Sequence, residues 1–511
     1  GALISDGNLK SDGNGAWASA IATMAIPHTG KWYFEYGVLG DNTNIGLFKP
    51  VYDYDGTIRD STGSRACWYG FNGTVYHWVT GYVTDSTAPD TYGNGDIIAL
   101  AVDSDAFTVG YYKNGVLQYT QTLVAALQTE LTAGNMFPGV DTYGGVDCTI
   151  NFGQQGFAYS PPTNYKALCA ENLPAPAVAD GSTAFTSALY TGNGSTQSVS
   201  TTGMSPDFVW IKGRNFSGDH ALFDTVRGVT KRLRSNQTNA ENTDANTLTA
   251  FNSSGFSVGS SSAVNNNGYS FVAWAWDAGT STVSNTDGDI TSQVRANTTT
   301  GTSIVSYTGN GSIGQTVGHG LRAEPTFIIA KNRDYVIRWP VFHTDVGPGN
   351  ALILDTTGTP TGGTGIWGNT DPTSSVFTIS NDGEANRNGD DYIAYCFAPI
   401  PGFSKFGVYG GTALTNGPLV QTGFRPAWVL IKNISIVENW LLFDSARDPD
   451  NGVVEYLLPN GPESESSGQV WLDFLSNGFK IRATNSAING QQHSIVYMAF
   501  AEHPLKTVRA R

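Results

Sequence analysis

Hydrophobic residues in this chain fall into short runs that are bounded by turn-forming residues. Residues 30–36 (Gly-Lys-Trp-Tyr-Phe-Glu-Tyr) alternate like a strand, and residues 44–48 (Asn-Ile-Gly-Leu-Phe) form a second short run. Residues 95–103 and 107–115 predict a hairpin pair, with a strong turn signal at Asn114-Gly115. Runs at helical spacing are nearly absent. The pattern predicts an all-β fold of short antiparallel strands.

Three segments in the last two-thirds of the chain share one order of motifs. Residues 206–212, 325–331 and 426–432 each begin with proline and end with lysine, and a phenylalanine follows each lysine after 11 positions. An aromatic-rich run closes each segment, at residues 271–276, 392–397 and 495–500. Fixed inner spacing is typical of paired strands. We expect three β-sandwich repeats, with Lys212, Lys331 and Lys432 at equivalent strand positions.

The predicted boundaries lie where the sequence becomes rich in proline, glycine and small polar residues. These stretches begin at Asn172, at Gly279 and at Ala398. The predicted modules are therefore residues 1–172, 173–279, 280–399 and 400–511. We expect the last three to be tandem antiparallel β-sandwiches of jelly-roll type.

Composition and charge narrow the classes of partner. Charged residues make up 14% of the chain and the net charge is −15. An acidic chain is a poor partner for nucleic acid, whose binding depends on clustered Lys and Arg, or for an anionic membrane surface. No apolar run approaches the roughly 20 residues that span a bilayer. We expect neither a nucleic-acid partner nor membrane insertion.

The four cysteines do not form a disulfide framework. Cys67, Cys148, Cys169 and Cys396 show no CxxC spacing, and four in 511 residues is far below the density of a disulfide scaffold. We expect buried thiols, with a Cys148–Cys169 bridge as the alternative.

Two glycine motifs resemble nucleotide and hydrolase signatures. Residues 309–314 match GxGxxG, but the helix that would hold a pyrophosphate does not follow. Residues 255–259 match GxSxG around Ser257, but the corresponding position of the third segment is Lys480. We interpret both motifs as turns and strands, and we expect no catalytic residue and no cofactor.

The recurring lysines and the aspartate-rich loops admit two interpretations each. Lys212, Lys331 and Lys432 would either anchor an anionic sugar or end a buried strand, and we favour the structural role. Residues 53–56, 287–289 and 448–452 resemble parts of calcium loops without the full set of ligands, so we interpret them as Asx turns. The seven histidines never pair at metal spacing, and no metal site is expected. A pair of carboxylates for glycoside hydrolysis stays open, because such a pair needs only to meet in space.

The best candidate for a contact surface is the aromatic stretch from Cys67 to Tyr82. Its aromatic rings would stack on a sugar or anchor a protein partner, although half or more are expected to face the core. The candidate binding residues are Trp68, Tyr69, Tyr76, His77, Trp78 and Tyr82.

Six motifs in residues 20–158 occur in the order found in one known family. They are GKWYFEY, NIGLF, GDIIALAVD, GYYKNGV, MFPGV and CTINFGQQGF. This succession resembles the SPRY family of concanavalin-like sandwiches. The resemblance implies a two-sheet sandwich that binds protein or sugar partners through loops at one end, without catalysis.

Nearly the whole chain resembles structural proteins of tailed bacteriophages. The motifs are PPTNYKALCAENLP, the YTGNG and PDFVWIK runs, and YIAYCFAPIPGFSKFGVYGG. The closing MAFAEHPLKTVRAR is typical of a natural C-terminus, whereas the first residues show no initiator Met and no signal peptide. We expect residue 1 to be internal to a longer product or a processed end, with the N-terminal side facing the particle.

These observations predict a non-enzymatic virion appendage, either a tail fibre, a head fibre or a decoration protein. Its expected partners are other virion proteins, identical copies in a homo-oligomer (a trimer being usual for fibres), and a glycan or protein on the host surface. A glycan-binding adhesin of the bacterial surface is the first alternative. A polysaccharide-degrading tailspike is the second.

Overall fold

The structure is a computed structural model that describes residues 3–5, 10–12, 18–22, 24–40, 42–49, 64–132, 134–143, 147–173, 177–362 and 365–501. Strands make up 43% of it and helices 5%, so the predicted all-β fold of antiparallel sandwich modules is confirmed. The chain divides between Ala175 and Pro176 into two compact units, which we call the first unit and the second unit. No helix of the described residues is long and apolar enough to cross a membrane.

The first unit is built from short strands and one α-helix. Its strands are Leu3–Ser5 (β1), Lys10–Asp12 (β2), Ala18–Ile21 (β3), Lys31–Val38 (β4), Thr43–Phe48 (β5), Arg65–Tyr69 (β6), Val75–Trp78 (β7), Tyr82–Ser86 (β8), Ile97–Asp103 (β9), Thr108–Lys113 (β10), Val116–Thr122 (β11), Phe137–Thr142 (β12), Asp147–Asn151 (β13) and Lys166–Ala167 (β14). The helix is Ala125–Thr132 (α1).

Two sheets of the first unit enclose one core. One sheet has the order β1-β2-β13-β4-β9-β10-β11 with β14 beside β4, and the other has the order β3-β12-β5-β6-β7-β8. Alternate residues of β4 (Trp32, Phe34 and Tyr36) belong to the same buried cluster as Ile45 and Leu47 of β5. The predicted hairpin is confirmed by the antiparallel pairing of β9 with β10. Its turn signal lies between β10 and β11, where Asn114-Gly115 has positive φ at both residues (48° and 80°).

The second unit contains three consecutive segments. The first segment has Phe185–Thr191 (β15), Gln197–Ser200 (β16), Phe208–Gly213 (β17), Ala221–Asp224 (β18), Lys231–Arg232 (β19), Asn242–Thr243 (β20), Leu248–Asn252 (β21), Gly255–Val258 (β22), Ser262–Asn265 (α2) and Ser270–Trp276 (β23). The second has Thr282–Asn285 (β24), Ser292–Asn297 (β25), Thr302–Thr308 (β26), Gln315–Gly318 (β27), Phe327–Asn332 (β28), Pro340–His343 (β29), Asn350–Ile353 (β30), Thr361–Gly362 (β31), Val376–Ile379 (β32) and Asp391–Phe397 (β33). The third has Ser404–Gly410 (β34), Leu419–Gln421 (β35), Pro426–Asn433 (β36), Trp440–Asp444 (β37), Leu472–Leu475 (β38), Gly478–Ile481 (β39), Ser486–Asn489 (α3) and Ser494–Ala501 (β40).

The three segments have the same strand order in their larger sheets. The orders are β15-β23-β17-β18, β26-β33-β28-β29 and β34-β40-β36-β37, and the second segment adds β24 and β25 on one side and β30 and β31 on the other. The register is also the same, because the strand pairing places Lys212 opposite Val272, Lys331 opposite Ile393, and Lys432 opposite Val496. The three lysines therefore lie at corresponding strand positions.

One face of each larger sheet packs into a core that all three segments share. The rings of Trp276, Phe397 and Phe500 meet there, with centroids 5.8–6.4 Å apart. In each segment a smaller sheet accompanies the larger one: β16-β22-β21, β27-β32 and β35-β39-β38. The module boundaries at residues 279–280 and 399–400 stay a prediction, since the three segments form one compact unit.

The three segments close into a ring through equivalent lysine contacts. The ammonium group of Lys331 donates to the carbonyl of Thr238 in the first segment, and that of Lys432 donates to Thr357 in the second, both at 3.0 Å. Lys212 of the first segment donates to Pro462 of the third at 3.2 Å. Each segment thus contacts the next one, and the third contacts the first.

Two of the three junctions also contain buried ion-pair networks. At the junction of the first and second segments, Arg227 pairs with Asp224. Arg227 also pairs with Glu241, which in turn pairs with Arg333 of the second segment. In the third-to-first junction, Asp444 binds Arg447, and Glu465 joins it to Arg214 of the first segment. Charges buried in this way are tolerated because each one has a partner.

The remaining junction has a histidine and apolar residues at the corresponding positions. His343 stands where the other segments have Asp224 and Asp444, because each of the three pairs with the aromatic residue two positions after the proline of the PDFVWIK-like run. Three residues further on, Val346 replaces the arginine, and Ile434 replaces Arg333; both pack on the shared core. Because all members of the ion-pair network are replaced together at this junction, no charge is left buried without a partner there.

Candidate functional site

The six candidate binding residues lie on β6, β7 and β8 at one side of the first unit. Successive side chains of a strand point to opposite faces of the sheet. Trp68 belongs to the cluster between the two sheets, whereas Tyr76 and Tyr69 belong to a separate cluster with Cys67 and Phe48. The structure therefore divides the candidate residues between an inner and an outer face.

Trp68 was predicted as a contact residue and is instead part of the core. Its side chain is fully buried, and its ring packs edge-on against Tyr92 and Tyr111 at 4.7 and 6.1 Å. A partner molecule would have to open the sandwich to reach it. Trp68 is therefore removed from the candidate surface.

His77 takes part in a polar chain between the sheets. Its Nδ1 lies 2.9 Å from the carboxylate of Asp85, which also accepts a hydrogen bond from Gln121 at 2.6 Å. Gln121 in turn accepts one from the hydroxyl of Tyr111 at 2.8 Å. These bonds engage Nδ1 of His77 and link β7, through Asp85 of β8, to Gln121 of the opposite sheet.

Three aromatic residues of the outer face form the surface that we call the aromatic ledge: Tyr76, Trp78 and Tyr82. Tyr82 stacks on Tyr76 with ring centroids 4.7 Å apart, and Trp78 lies opposite Tyr82 in the strand pairing. Tyr76 is buried, Trp78 is partly buried, and Tyr82 is 50% exposed. Tyr69 lies on the same face, beside the exposed ring of Phe71 at 6.1 Å.

A buried arginine supports the aromatic ledge from one side. The guanidinium of Arg65 lies 5.8 Å from the ring centre of Tyr76 and 5.7 Å from that of Trp78, and Nη1 is 2.9 Å from Asp141. Cation–π contacts of this kind contribute about 0.5–2 kcal/mol each. Burial raises the pKa of Tyr76 well above its usual range, so its hydroxyl stays protonated. The ledge thus presents Tyr82 and part of Trp78 to solvent, with the buried ring of Tyr76 beneath Tyr82.

The recurring lysines are buried inside the second unit. Their side chains are fully shielded, and their ammonium groups donate to carbonyl oxygens, as Lys331 does to Ile337 at 2.6 Å and Lys432 to Glu438 at 2.6 Å. Desolvation lowers the pKa of Lys212, Lys331 and Lys432 to about 8. No ligand reaches these groups, so the structural interpretation is confirmed.

The GxGxxG match is a turn that a buried asparagine holds in place. Asn386 accepts the backbone N–H of Asn310 at 2.8 Å and donates to the carbonyl of Ser312 at 2.8 Å. Asn265 and Asn489 make the corresponding bonds in the other two segments, and Asn265 donates to the carbonyl of Ser195. A β-carbon at Gly309 would lie 2.4 Å from the carbonyl of Arg387, which explains the glycine. The motif is followed by strand β27, and the structural interpretation is confirmed.

Ser257 lies inside strand β22 and does not occupy a nucleophile elbow. Its hydroxyl accepts a hydrogen bond from Asn252 at 2.9 Å and lies 3.3 Å from Ser198. Lys480 has the same place in β39, since the adjacent phenylalanines pair with Val199 and Val420. Neither hydrogen-bonding neighbour is a general base for Ser257.

The aspartate-rich loops use their oxygens for backbone hydrogen bonds. Asp289 accepts the N–H and the hydroxyl of Thr316, and Asp448 accepts the N–H of Val454. Residues 53–56 lie outside the described residues. Within the described ranges, no three His, Cys, Asp or Glu side chains come together as a metal site. All four cysteines are free thiols in this structure, three of them buried, so the alternative Cys148–Cys169 bridge is not formed.

Sequence reasoning missed a cavity in the third segment that contains Lys480 and Arg482. The signal was present, because the corresponding residues of the first segment are Ser257 and Gly259. This departure from the shared pattern is the sequence signal for the two basic residues that line the cavity.

Comparison with known families assigns both units. Residues 31–155 match the SPRY domain model, so the first unit contains a SPRY domain, which belongs to a class of binding domains. Residues 180–504, more than half of the chain, match the model described as Domain of unknown function (DUF7483). The chain therefore belongs to the DUF7483 family. No curated protein matches it.

Solved structures that resemble this chain cover 29–30% of it. The SPRY domain of human HERC1 is 19% identical, with 29% of this chain and 91% of that chain covered and a TM-score of 0.23. A human SPRY domain is 14% identical, with coverages of 29% and 94% and a TM-score of 0.23. The carbohydrate binding module CBM66 from Bacillus subtilis is 7% identical, with coverages of 30% and 88% and a TM-score of 0.20.

Proposed function

We propose that this chain is a non-enzymatic structural protein of a virion, an appendage that uses its SPRY domain to attach to a glycan or protein on the host surface. The observation that carries the proposal is the aromatic ledge of Tyr76, Trp78 and Tyr82 on the outer face of that domain. Tyr and Trp side chains that are partly exposed, as Tyr82 and Trp78 are, are enriched at binding interfaces.

The ledge is suited to binding because its rings are already held in place. Tyr82 stacks on the buried ring of Tyr76, and Arg65 supports both Tyr76 and Trp78. A partner that covers these rings loses little further side-chain entropy, which at a flexible interface costs about 0.5–1.5 kcal/mol for each side chain. The exposed faces would accept the C–H groups of a sugar ring or an apolar side chain of a protein.

The second unit fits the role of a durable scaffold. Its three segments are joined in a ring by buried lysines and, at two junctions, by buried ion-pair networks. The likeness of its motifs to structural proteins of tailed bacteriophages supports a virion setting. A low content of charged residues suits association with identical copies and with other virion proteins, so we propose a homo-oligomer, with a trimer favoured.

Localisation in the virion can be tested by peptide mass spectrometry of purified particles. Particles from lysates of producing cells are separated on a density gradient, and peptides of the first unit (residues 97–113) and of the second unit (residues 221–232) are quantified in each fraction. We expect both to follow the major capsid protein at a fixed ratio. Peptides that stay with the cell-envelope fraction would contradict the proposal and favour a surface adhesin.

A further inference from the structure

The third segment contains a cavity of about 490 Å³ that lies on its smaller sheet and the adjoining loop. It is lined by Thr415, Asn416, Val470, Lys480 and Arg482. Small-molecule sites are usually cavities of roughly 300–1,000 Å³, so the volume is sufficient for a small ligand. Two positive side chains stand in one cavity of a chain whose net charge is −15.

The fold does not require these positive charges. In the first segment Ser257 occupies the position of Lys480, and in the second segment Thr378 does. The positions correspond because the three strands pair in the same register with the neighbouring strand of the smaller sheet. Two residues further along, Gly259 and Ser380 correspond to Arg482. The same architecture therefore forms with small neutral residues at both positions, and the basic pair is particular to the third segment.

Both positive groups keep hydrogen-bonding capacity. The ammonium group of Lys480 donates to the carbonyl of Gly417 at 2.6 Å, which uses one of its three N–H bonds. Arg482 pairs with Asp473 through Nη1, and nearly half of its side chain is exposed. Asp473 neutralises one of the two cations, so the cavity has one net positive charge. Burial and then the charge of Arg482 lower the pKa of Lys480, while the charge of Asp473 acts in the opposite direction.

We propose that this cavity binds a carboxylated saccharide unit of the uronic acid class. The carboxylate would accept charge-assisted hydrogen bonds from Lys480 and from the free edge of the Arg482 guanidinium. Thr415 and Asn416, both exposed on the loop, offer polar side-chain atoms to the sugar hydroxyls. Val470, which is 41% exposed, offers an apolar contact to the C–H face of the ring. This site lies in the second unit and does not depend on the aromatic ledge.

Titration calorimetry with the full chain tests the proposal. The ligands are trimers of galacturonate, glucuronate and mannuronate, the neutral methyl ester of the galacturonate trimer, and inorganic sulfate. We expect at least one charged trimer to bind, with at least tenfold weaker binding of the ester. Binding should weaken at least tenfold in Lys480→Ser and in Arg482→Ser, both of which introduce residues that the corresponding positions tolerate.

Two control variants show whether a charged trimer binds in this cavity or elsewhere on the chain. Arg322→Ser removes an exposed arginine from the second segment and should leave the affinity unchanged, as should the double variant Trp78→Ala/Tyr82→Ala of the aromatic ledge. Failure of all three trimers to bind would overturn the proposal. Equal binding of the ester, equal binding of sulfate, or unchanged affinity in both cavity variants with intact thermal unfolding would overturn it as well.

Discussion

Trp274 donates its indole N–H to the carboxylate of Asp444 at 3.0 Å, across 170 positions of sequence. Both side chains are fully buried, and the guanidinium of Arg447 pairs with the same carboxylate while lying 5.8 Å from the Trp274 ring. The bond joins the first and third segments of the second unit. At the first-to-second junction Tyr395 occupies the place of Trp274 and donates its hydroxyl to Asp224 at 2.8 Å. Met498, which cannot donate, occupies that place at the remaining junction, where His343 replaces the aspartate.

The substitution Trp274→Phe should destabilise the second unit. It removes a hydrogen bond to a buried charged acceptor, which costs about 1.5–3 kcal/mol, in addition to the lost ring volume. Urea unfolding followed by tryptophan fluorescence and circular dichroism measures the change.

Trp276→Phe is the matched control for Trp274→Phe. Trp276 lies two residues away in the same strand and is equally buried, and its indole N–H has no hydrogen-bond partner among the described residues. The same loss of volume should therefore destabilise the unit less. A free energy of unfolding that falls equally in both variants would contradict the role given to the bond.

Local features of the second unit could be predicted from its sequence, but the ring could not. The spacing of 11 residues after Lys212, Lys331 and Lys432 identified paired strands because strand pairing is local. The partner of Lys212 is the carbonyl of Pro462, 250 positions away, and any carbonyl would satisfy the ammonium group chemically. Composition and spacing contain no information on that choice.

The candidate site shows the same division between local pattern and packing. Period-two alternation within Tyr76-His77-Trp78 already implies that His77 faces away from its neighbours. Which face is solvated depends on Tyr111 of the second sheet and on Tyr92 of the loop before β9, whose rings pack against Trp68. The inward direction of Trp68 therefore became known only from the packing of strands that are distant in sequence.

The stability of the second unit should rise from pH 8 towards pH 9. Burial lowers the pKa of Lys212, Lys331 and Lys432 to about 8, so above that pH the folded chain has released protons that the unfolded chain, with lysine pKa values near 10.4, still binds. The free energy of unfolding then increases with pH, by at most about 1.4 kcal/mol per pH unit for each lysine.

The rise should end above pH 9 and reverse above pH 10. Burial raises the pKa of Cys396 and of Tyr307, Tyr392 and Tyr395, so the folded chain retains protons that the unfolded chain loses. Urea unfolding at half-unit intervals from pH 7 to 11 gives the curve. In Lys331→Met the slope between pH 8 and 9 should be lower than in the wild type, and an unchanged slope would show that Lys331 does not titrate in this range.

Ser257 should not react as a nucleophile. Its hydroxyl is bound to Asn252 within a strand, and the neighbouring Ser198 is not a base. A fluorophosphonate probe at micromolar concentration should label the chain no more than it labels Ser257→Ala. Labelling that disappears in Ser257→Ala would revive a hydrolytic function.

The purified chain should form a homo-oligomer. Exposed apolar side chains occur on both units, among them Val83 and Val116 on the first and Val336 and Val437 on the second. Sedimentation velocity at 1–20 µM should give a mass of at least two copies of the 54.3 kDa chain, with the trimer favoured. A single species of 54.3 kDa over that range would argue against self-assembly.

Binding of the chain to intact host cells, with and without the aromatic ledge, tests most directly whether the ledge attaches the protein to its host. Fluorescently labelled wild type, Trp78→Ala/Tyr82→Ala and Tyr335→Ala are titrated onto cells in a flow cytometer; Tyr335 is as exposed as Tyr82, at 50%, but lies on the second unit. We expect saturable binding that weakens at least tenfold in the ledge variant and stays unchanged in Tyr335→Ala, with all three proteins equally stable. Wild-type binding that survives intact in Trp78→Ala/Tyr82→Ala would contradict attachment through the ledge.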